Sequence, residues 1–213
     1  MSRTVSSNES GASAAETADA YITEYKSDHR NRLTNVTFKN NLGIVTDGID
    51  YLYDAFDRRI EKRVDLDGPG LLPGSVEAVM FDGDDRILSY FDLDGAGPLQ
   101  AAFDARILEA QDQVFAVEYG GEAPLYPLLD HLGSVRDLLR SGAIVNHTDY
   151  SATGVVTNET NPSIRYTYGF TALVRDKETG LLYSQTRYYD PLISRWISED
   201  WITFRGGDTL PFA

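Results

Sequence analysis

The pattern Asp-x-x-[Asn/Asp]-Arg occurs three times, as "DHRNR" from Asp28, "DAFDR" from Asp54 and "DGDDR" from Asp82, at intervals of 26 and then 28 residues. Repetition on that scale outranks single motifs when fold is inferred, and the interval suits a strand, a tight turn and a returning strand. An aspartate at the head of a turn can accept backbone N–H groups as an Asx-turn. Asn31, Asp57 and Asp85 stand where a positive φ is often required, and Asn and Asp tolerate it best after Gly. Aromatic residues precede each copy (Tyr25; Tyr51 and Tyr53; Phe81), and strand-forming stretches follow: "LTNVTF", "RIEKRV" and "ILSYF". Thr34, Val36 and Phe38 alternate with Leu33, Asn35 and Thr37, as in a strand facing two environments. Three copies at near-equal spacing exceed what chance supplies.

Composition closes several functional classes. The 213 residues carry 33 acidic and 19 basic side chains, a formal net charge of −14. Binding to phosphate backbones relies on Lys and Arg displacing counterions, so nucleic acid is not an expected partner, nor is anionic lipid. With no cysteine there are no disulfides and no thiolate-held metals. No apolar run approaches the roughly 20 residues that span a bilayer. The opening "MSRTVSSNESGASAAETADA" lacks the apolar stretch of a Sec signal peptide.

"YLYDAFDRRIEKRV" resembles a YD repeat, the Tyr-Asp unit of the rearrangement-hotspot (RHS) proteins, with Tyr53, Asp54 and Arg58 as its marks. Similar repeats occur in polymorphic toxins, in the C component of insecticidal toxin complexes, in wall-associated proteins and in teneurins. The usual repeat has Gly where this chain has Asn31, Asp57 and Asp85. The second half is similar to the RHS repeat-associated core. "LDHLGSVRDLL" carries Asp130, Gly133 and Arg136; "TDYSATG" carries Tyr150; "RDKETGLLYSQTRYYDPLISRWISED" carries Gly180, Arg187, Tyr188, Tyr189, Asp190 and Pro191. The likeness runs from about residue 21 to 208.

Catalytic readings fare less well. Many family members continue the signature with Asp-Pro-x-Gly and carry a second copy downstream, whose paired aspartates cut the chain. Here Trp201 replaces the Pro and Thr203 the Gly, and no second copy precedes Ala213. Aspartyl chemistry needs two close carboxylates with separated pKa values. Asp200 is thus a weak catalytic candidate, and a turn carboxylate bonded to local backbone donors is the preferred reading. His29, His131 and His147 lack metal-ligand spacing. Ser134 lacks the Gly-x-Ser-x-Gly setting of a nucleophile elbow. No cofactor or metal site is expected. Asn35, Asn146 and Asn158 begin Asn-x-Ser/Thr sequons, a pattern common by chance. Tyrosines at alternating strand positions are read chiefly as cross-strand packing, with a sugar-stacking row as the competing reading.

The expected fold is all-β: tandem antiparallel β-hairpins of a YD-repeat spiral sheet, an incomplete RHS shell, with the core-associated end segment. The expected organisation is a disordered N-terminal tail over 1–20, repeat hairpins over 21–123, the core over 124–208 and a C-terminal tail over 209–213. "LQAAFDARILEAQDQVFAVEYG" is open between helix and strand, and the alternation around Val114–Glu118 favours strands. A hairpin is expected at "DKETG". The resemblance implies a non-catalytic piece of a shell that encloses a toxin polypeptide, truncated before the toxin itself. A cell-surface or carbohydrate-binding module and an aspartyl autoprocessing domain are the alternatives. Expected partners are other shell segments or further copies meeting through sheet edges, a toxin cargo, and, under the second alternative, a glycan. The family implies secretion or the cell surface.

Overall fold

The computed structural model describes residues 2–5, 21–65, 75–82, 86–92, 105–110, 113–184 and 187–198. Among them no α-helix occurs, and nearly every element is an antiparallel strand. Two compact units can be distinguished, one of residues 1–80 with 90–102, the other of 81–89 with 103–213.

In the first unit, β1 (Ser2–Val5), β2 (Tyr21–Ser27), β3 (Leu33–Lys39), β4 (Val45–Tyr53), β5 (Arg59–Asp65) and β6 (Ser75–Asp82) each pair antiparallel with the next. β1 lies within the stretch expected as a disordered tail, most of which falls outside the described residues. Register places Val36 opposite Tyr25 and Ile49, and Ile49 opposite Val64. Val36 and Ile49 are fully buried and Val64 nearly so. Each such side chain contributes about 1.5–3 kcal/mol by leaving water. The opposite face is polar, with Lys39 on Glu24 at 2.6 Å and the Asn35 amide donating to Asp50 at 2.9 Å. One strict alternation fails. Leu33 is buried, although simple parity groups it with Asn35 and Thr37. The pairing slips between Lys26 and Ser27, and that bulge turns Leu33 back toward the core.

β7 (Arg86–Asp92) follows, and the second unit continues with β8 (Ala105–Ala110) and β9 (Gln113–Tyr119). The segment open between helix and strand is therefore a hairpin, with Ile107 opposite Val117 and both buried. A four-stranded sheet comes next: β10 (Tyr126–Leu129), β11 (Val135–Arg140), β12 (Ala143–Tyr150) and β13 (Val156–Glu159). Ser141 and Gly142, with φ of 51° and 83°, make the two-residue turn between β11 and β12. Both central residues of that turn type need a positive φ. Leu125, just beyond the junction expected at 123/124, exchanges two backbone hydrogen bonds with Val117 at 2.9 Å. A single 3₁₀ turn (Phe170–Ala172) leads to β14 (Val174–Arg175), β15 (Leu182–Ser184), β16 (Arg187–Asp190) and β17 (Arg195–Trp196), again antiparallel in chain order. The "DKETG" turn joins β14 to β15 as expected, closed by the Gly180 N–H on the Asp176 carbonyl at 2.8 Å.

Candidate functional site: a ladder of side-chain-headed turns

The Asp28 turn shows how the repeat signature works. Its Oδ1 accepts the amides of Arg30 and Arg32 at 2.9 and 3.0 Å, and its carbonyl accepts the Asn31 N–H at 3.0 Å. Its own N–H donates to the Arg32 carbonyl at 3.0 Å, while Asn31 takes a φ of 64°. This is a type I turn followed by a left-handed residue, which closes the hairpin with a bulge. The Asp54 turn repeats every bond, with φ of 68° at Asp57. In both, the arginine closing the pattern returns to the aspartate that heads it: Arg32 Nε to Asp28 at 2.8 Å and Arg58 Nε to Asp54 at 2.7 Å. The third copy, at Asp82, has its turn outside the described residues.

Sequence reading missed that Asn40 and Ser151 build the same turn, and that Asp130 does so in the "LGSVR" block. Asn40 Oδ1 accepts the amides of Leu42 and Ile44, Asp130 Oδ1 those of Leu132 and Ser134, and Ser151 Oγ those of Thr153 and Val155. Gly43, Gly133 and Gly154 take the left-handed position, at φ of 76°, 81° and 94°. The findable signal was [Asp/Asn/Ser]-x-x-Gly; requiring a closing Arg hid it. Asp190 heads a variant, accepting the Leu192 amide at 2.9 Å and the Ile193 amide at 3.4 Å, with Ser194 at φ 56°.

Successive turns on one side of the first unit dock on each other. Arg30 and Arg32 both reach Asp57 Oδ1 at 2.8 Å, and Arg32 also donates to the Asp54 carbonyl at 3.3 Å. The Tyr53 hydroxyl donates to the Leu33 carbonyl at 2.6 Å, and its ring lies 4.8 Å beneath the Arg32 guanidinium. The Asp in place of Gly at position 57 is thereby explained: its carboxylate receives arginines from the preceding turn. Asp57→Gly is accordingly expected to change stability by less than about 1 kcal/mol, because relief of the left-handed strain offsets the lost half-exposed ion pairs. Urea unfolding of the variant should also lose part of the wild type's dependence on salt.

In the second unit the core motifs meet in the same manner. The Asp130 turn lies against the 3₁₀ turn: the Val135 N–H donates to the Gly169 carbonyl at 3.1 Å, and Ser134 Oγ accepts the Thr171 N–H at 3.0 Å. Ser134 is fully buried, which suits a bracket and denies substrate access. Arg136 pairs with Asp149 and stands over the Tyr150 ring at 6.0 Å. Tyr150 packs on Phe170, and burial pushes its hydroxyl up to about 12. Tyr188 is buried against Tyr183, Pro191 is buried, and the exposed Trp196 meets Tyr189 edge-on with the Arg187 guanidinium 4.1 Å from its ring.

A cavity of about 200 Å³ lies beside Tyr150, Val156, Arg175, Lys177, Leu182 and Leu192. Its cations are committed to the fold: Arg175 to Glu159 at 2.9 Å, Lys177 to the carbonyls of Pro162 and Ile164 at 3.1 Å. Burial pulls the Lys177 ammonium below its ordinary value. Asp200, Trp201 and Thr203 lie outside the described residues. Among the described residues, no three His, Asp or Glu side chains converge as metal ligands. No helix among them is long and apolar enough to cross a membrane. Among the described residues, tyrosines 51, 119, 166, 183 and 188 are buried, and the exposed aromatics are Phe56, Phe115, Tyr126 and Trp196.

Meandering strands joined by side-chain-headed turns define a repeat antiparallel β-sheet protein. Residues 107–208 match the Teneurin YD-shell family model. Over those residues the chain is similar to the YD-shell family. It is 40% identical over 70 residues to YlbH of Escherichia coli K12, covering 32% of this chain and 30% of that protein. It is 36% identical over 75 residues to salivary gland surface protein 1 of Aedes aegypti, covering 34% of this chain and 2% of that protein. Among solved structures, the Photorhabdus luminescens Tc holotoxin pore superposes with a TM-score of 0.54 at 23% identity, over 84% of this chain and 9% of that one. The chain thus spans less than a third of the length of each.

Proposed function

We propose that this chain is a length of structural wall in an RHS/YD shell, and that the wall contains a polypeptide cargo without acting on it chemically. The observation that carries the reading is the docking of one repeat turn on the next through Arg30, Arg32 and Asp57. Such a contact stiffens an array of hairpins along the direction in which repeats are added, and an array whose units contact neighbours can be lengthened without a new core. The titratable side chains at the turns are committed to their own backbone and to neighbouring arginines, which is the economy of a scaffold. The acidic surface favours solubility of a large assembly. Strand edges at the limits of such a segment offer unpaired N–H and C=O groups, so other shell segments or further copies are the natural partners.

In the native assembly, a contained polypeptide is expected to resist added protease until urea opens the wall. Cleavage at the rate of the free polypeptide overturns containment. The isolated chain should self-associate on size-exclusion chromatography with light scattering, whereas a stable, monodisperse monomer argues against exposed wall edges. Intact-mass analysis checks the non-catalytic part. A single unprocessed mass is expected, and a fragment cut near Asp200 that disappears in Asp200→Asn would establish autoprocessing instead.

A further inference from the structure

His147 sits on β12 with both ring nitrogens facing carboxylates. Nδ1 is 2.6 Å from Asp137 Oδ1 on β11, its directly paired residue, and Nε2 is 3.3 Å from Asp149 Oδ1, two residues along β12. A neutral imidazole has one N–H and one lone pair, so it can satisfy only one of these oxygens. The other carboxylate would then confront a lone pair. Only the doubly protonated ring donates to both.

The surroundings are otherwise committed. From β11, Arg136 pairs with Asp149; from β13, Asn158 Nδ2 stands 3.5 Å from the other Asp149 oxygen. Glu159, also on β13, is occupied by Asn146 at 3.0 Å and Arg175 at 2.9 Å. From β10, Leu128 is the residue opposite Asp137. The His147 backbone holds the end of β13 as well: its N–H donates to Thr160 Oγ1 at 2.8 Å, and its carbonyl accepts the Thr160 N–H at 2.9 Å.

We propose that His147 is a proton-gated clamp, locking β11 to β12 and the β13 end while its imidazole is doubly protonated and loosening that end when it loses a proton. The hydrogen bond to Asp137 is the largest influence raising the imidazole above its ordinary value; slight burial opposes it, and the charges of Asp137 and Asp149 add to it. The sign follows from the raised folded value. The clamp's stabilisation is complete below the unfolded value of about 6.5 and is lost as pH rises through the folded one. Each unit separating the two multiplies the opening constant about tenfold between the acid and alkaline limits.

The test uses the full chain. Two-bond nitrogen spectra of the imidazoles, recorded from about pH 5 to 9.5, should show one ring still doubly protonated above the ordinary histidine midpoint of about 6.5. That signal should vanish in His147→Gln. Amide exchange of Asn158 and Thr160, corrected for intrinsic pH dependence, should accelerate through the same midpoint in the wild type and stay flat in His147→Gln. Asp137→Asn, which keeps a polar partner of the same size, should lower the midpoint, and it serves if the glutamine variant does not fold. A midpoint at or below the ordinary value, or unchanged exchange behaviour in the variants, overturns the proposal.

Discussion

Gly154→Ala is expected to be the most damaging single substitution in the second unit, costing about 3 kcal/mol or more and lowering the unfolding temperature by roughly 6–12 °C. Two causes add. Gly154 is held at φ 94°, where an L side chain is strained, and a Cβ there would lie 2.6 Å from the Phe170 ring. The ring cannot retreat freely, since it packs on Tyr150 at 5.8 Å and belongs to the 3₁₀ turn that Ser134 brackets. Thermal unfolding by circular dichroism measures the effect. Gly43→Ala is the control: it shares the left-handed backbone, at φ 76°, but a Cβ would meet nothing within 4 Å. It should therefore cost only about 1 kcal/mol, the backbone share of the penalty. Equal losses in the two variants would refute the steric contribution of Phe170.

Asp54→Ala is expected to cost about 2 kcal/mol, because it takes the acceptor from two turn amides and the carboxylate from beside the Arg58 guanidinium. The amides of Phe56 and Arg58 lie 2.8 and 3.0 Å from Oδ1, and Arg58 Nε lies 2.7 Å from Oδ2. Asp54→Asn, which keeps the Oδ1 acceptor, should recover about half of that cost. Partial burial pulls the Asp54 carboxyl upward, but the amide and guanidinium of Arg58 outweigh it and hold the group below its ordinary value. Asp28 is lowered by the same balance with Arg32, and Asp130 with the Ser134 amide. A depressed folded value means stability that is present above the ordinary carboxylate value near 3.8 and lost as pH falls through the folded one. Urea midpoints measured from pH 5 down to 2 should therefore drop less steeply in Asp54→Asn than in the wild type.

These expectations divide between what is local and what is not. The all-β fold and the hairpins closed at Asp28 and Asp54 follow from residues that touch within five positions, so their spacing alone betrays them. The Asn40, Asp130 and Ser151 turns obey the same local rule, and they were hidden only by demanding an arginine at the end. The face of Leu33 was misassigned because a bulge shifts parity by one residue, and parity is counted from a register that pairing sets.

Amino-acid order by itself determined where the chain reverses, since a carboxylate, amide or hydroxyl two and four residues from waiting amides needs no partner from elsewhere. Tertiary structure alone decided which reversal meets which. Arg32 finds Asp57 across 25 residues, and His147 finds Asp137 across 10, only because strand pairing brings the two into line. That is why Asp57 looks in sequence like a poor substitute for glycine and in three dimensions is the acceptor on which two arginines converge. Backbone preference is a property of one residue, whereas an ion pair between neighbouring turns depends on the sheet that sets them side by side.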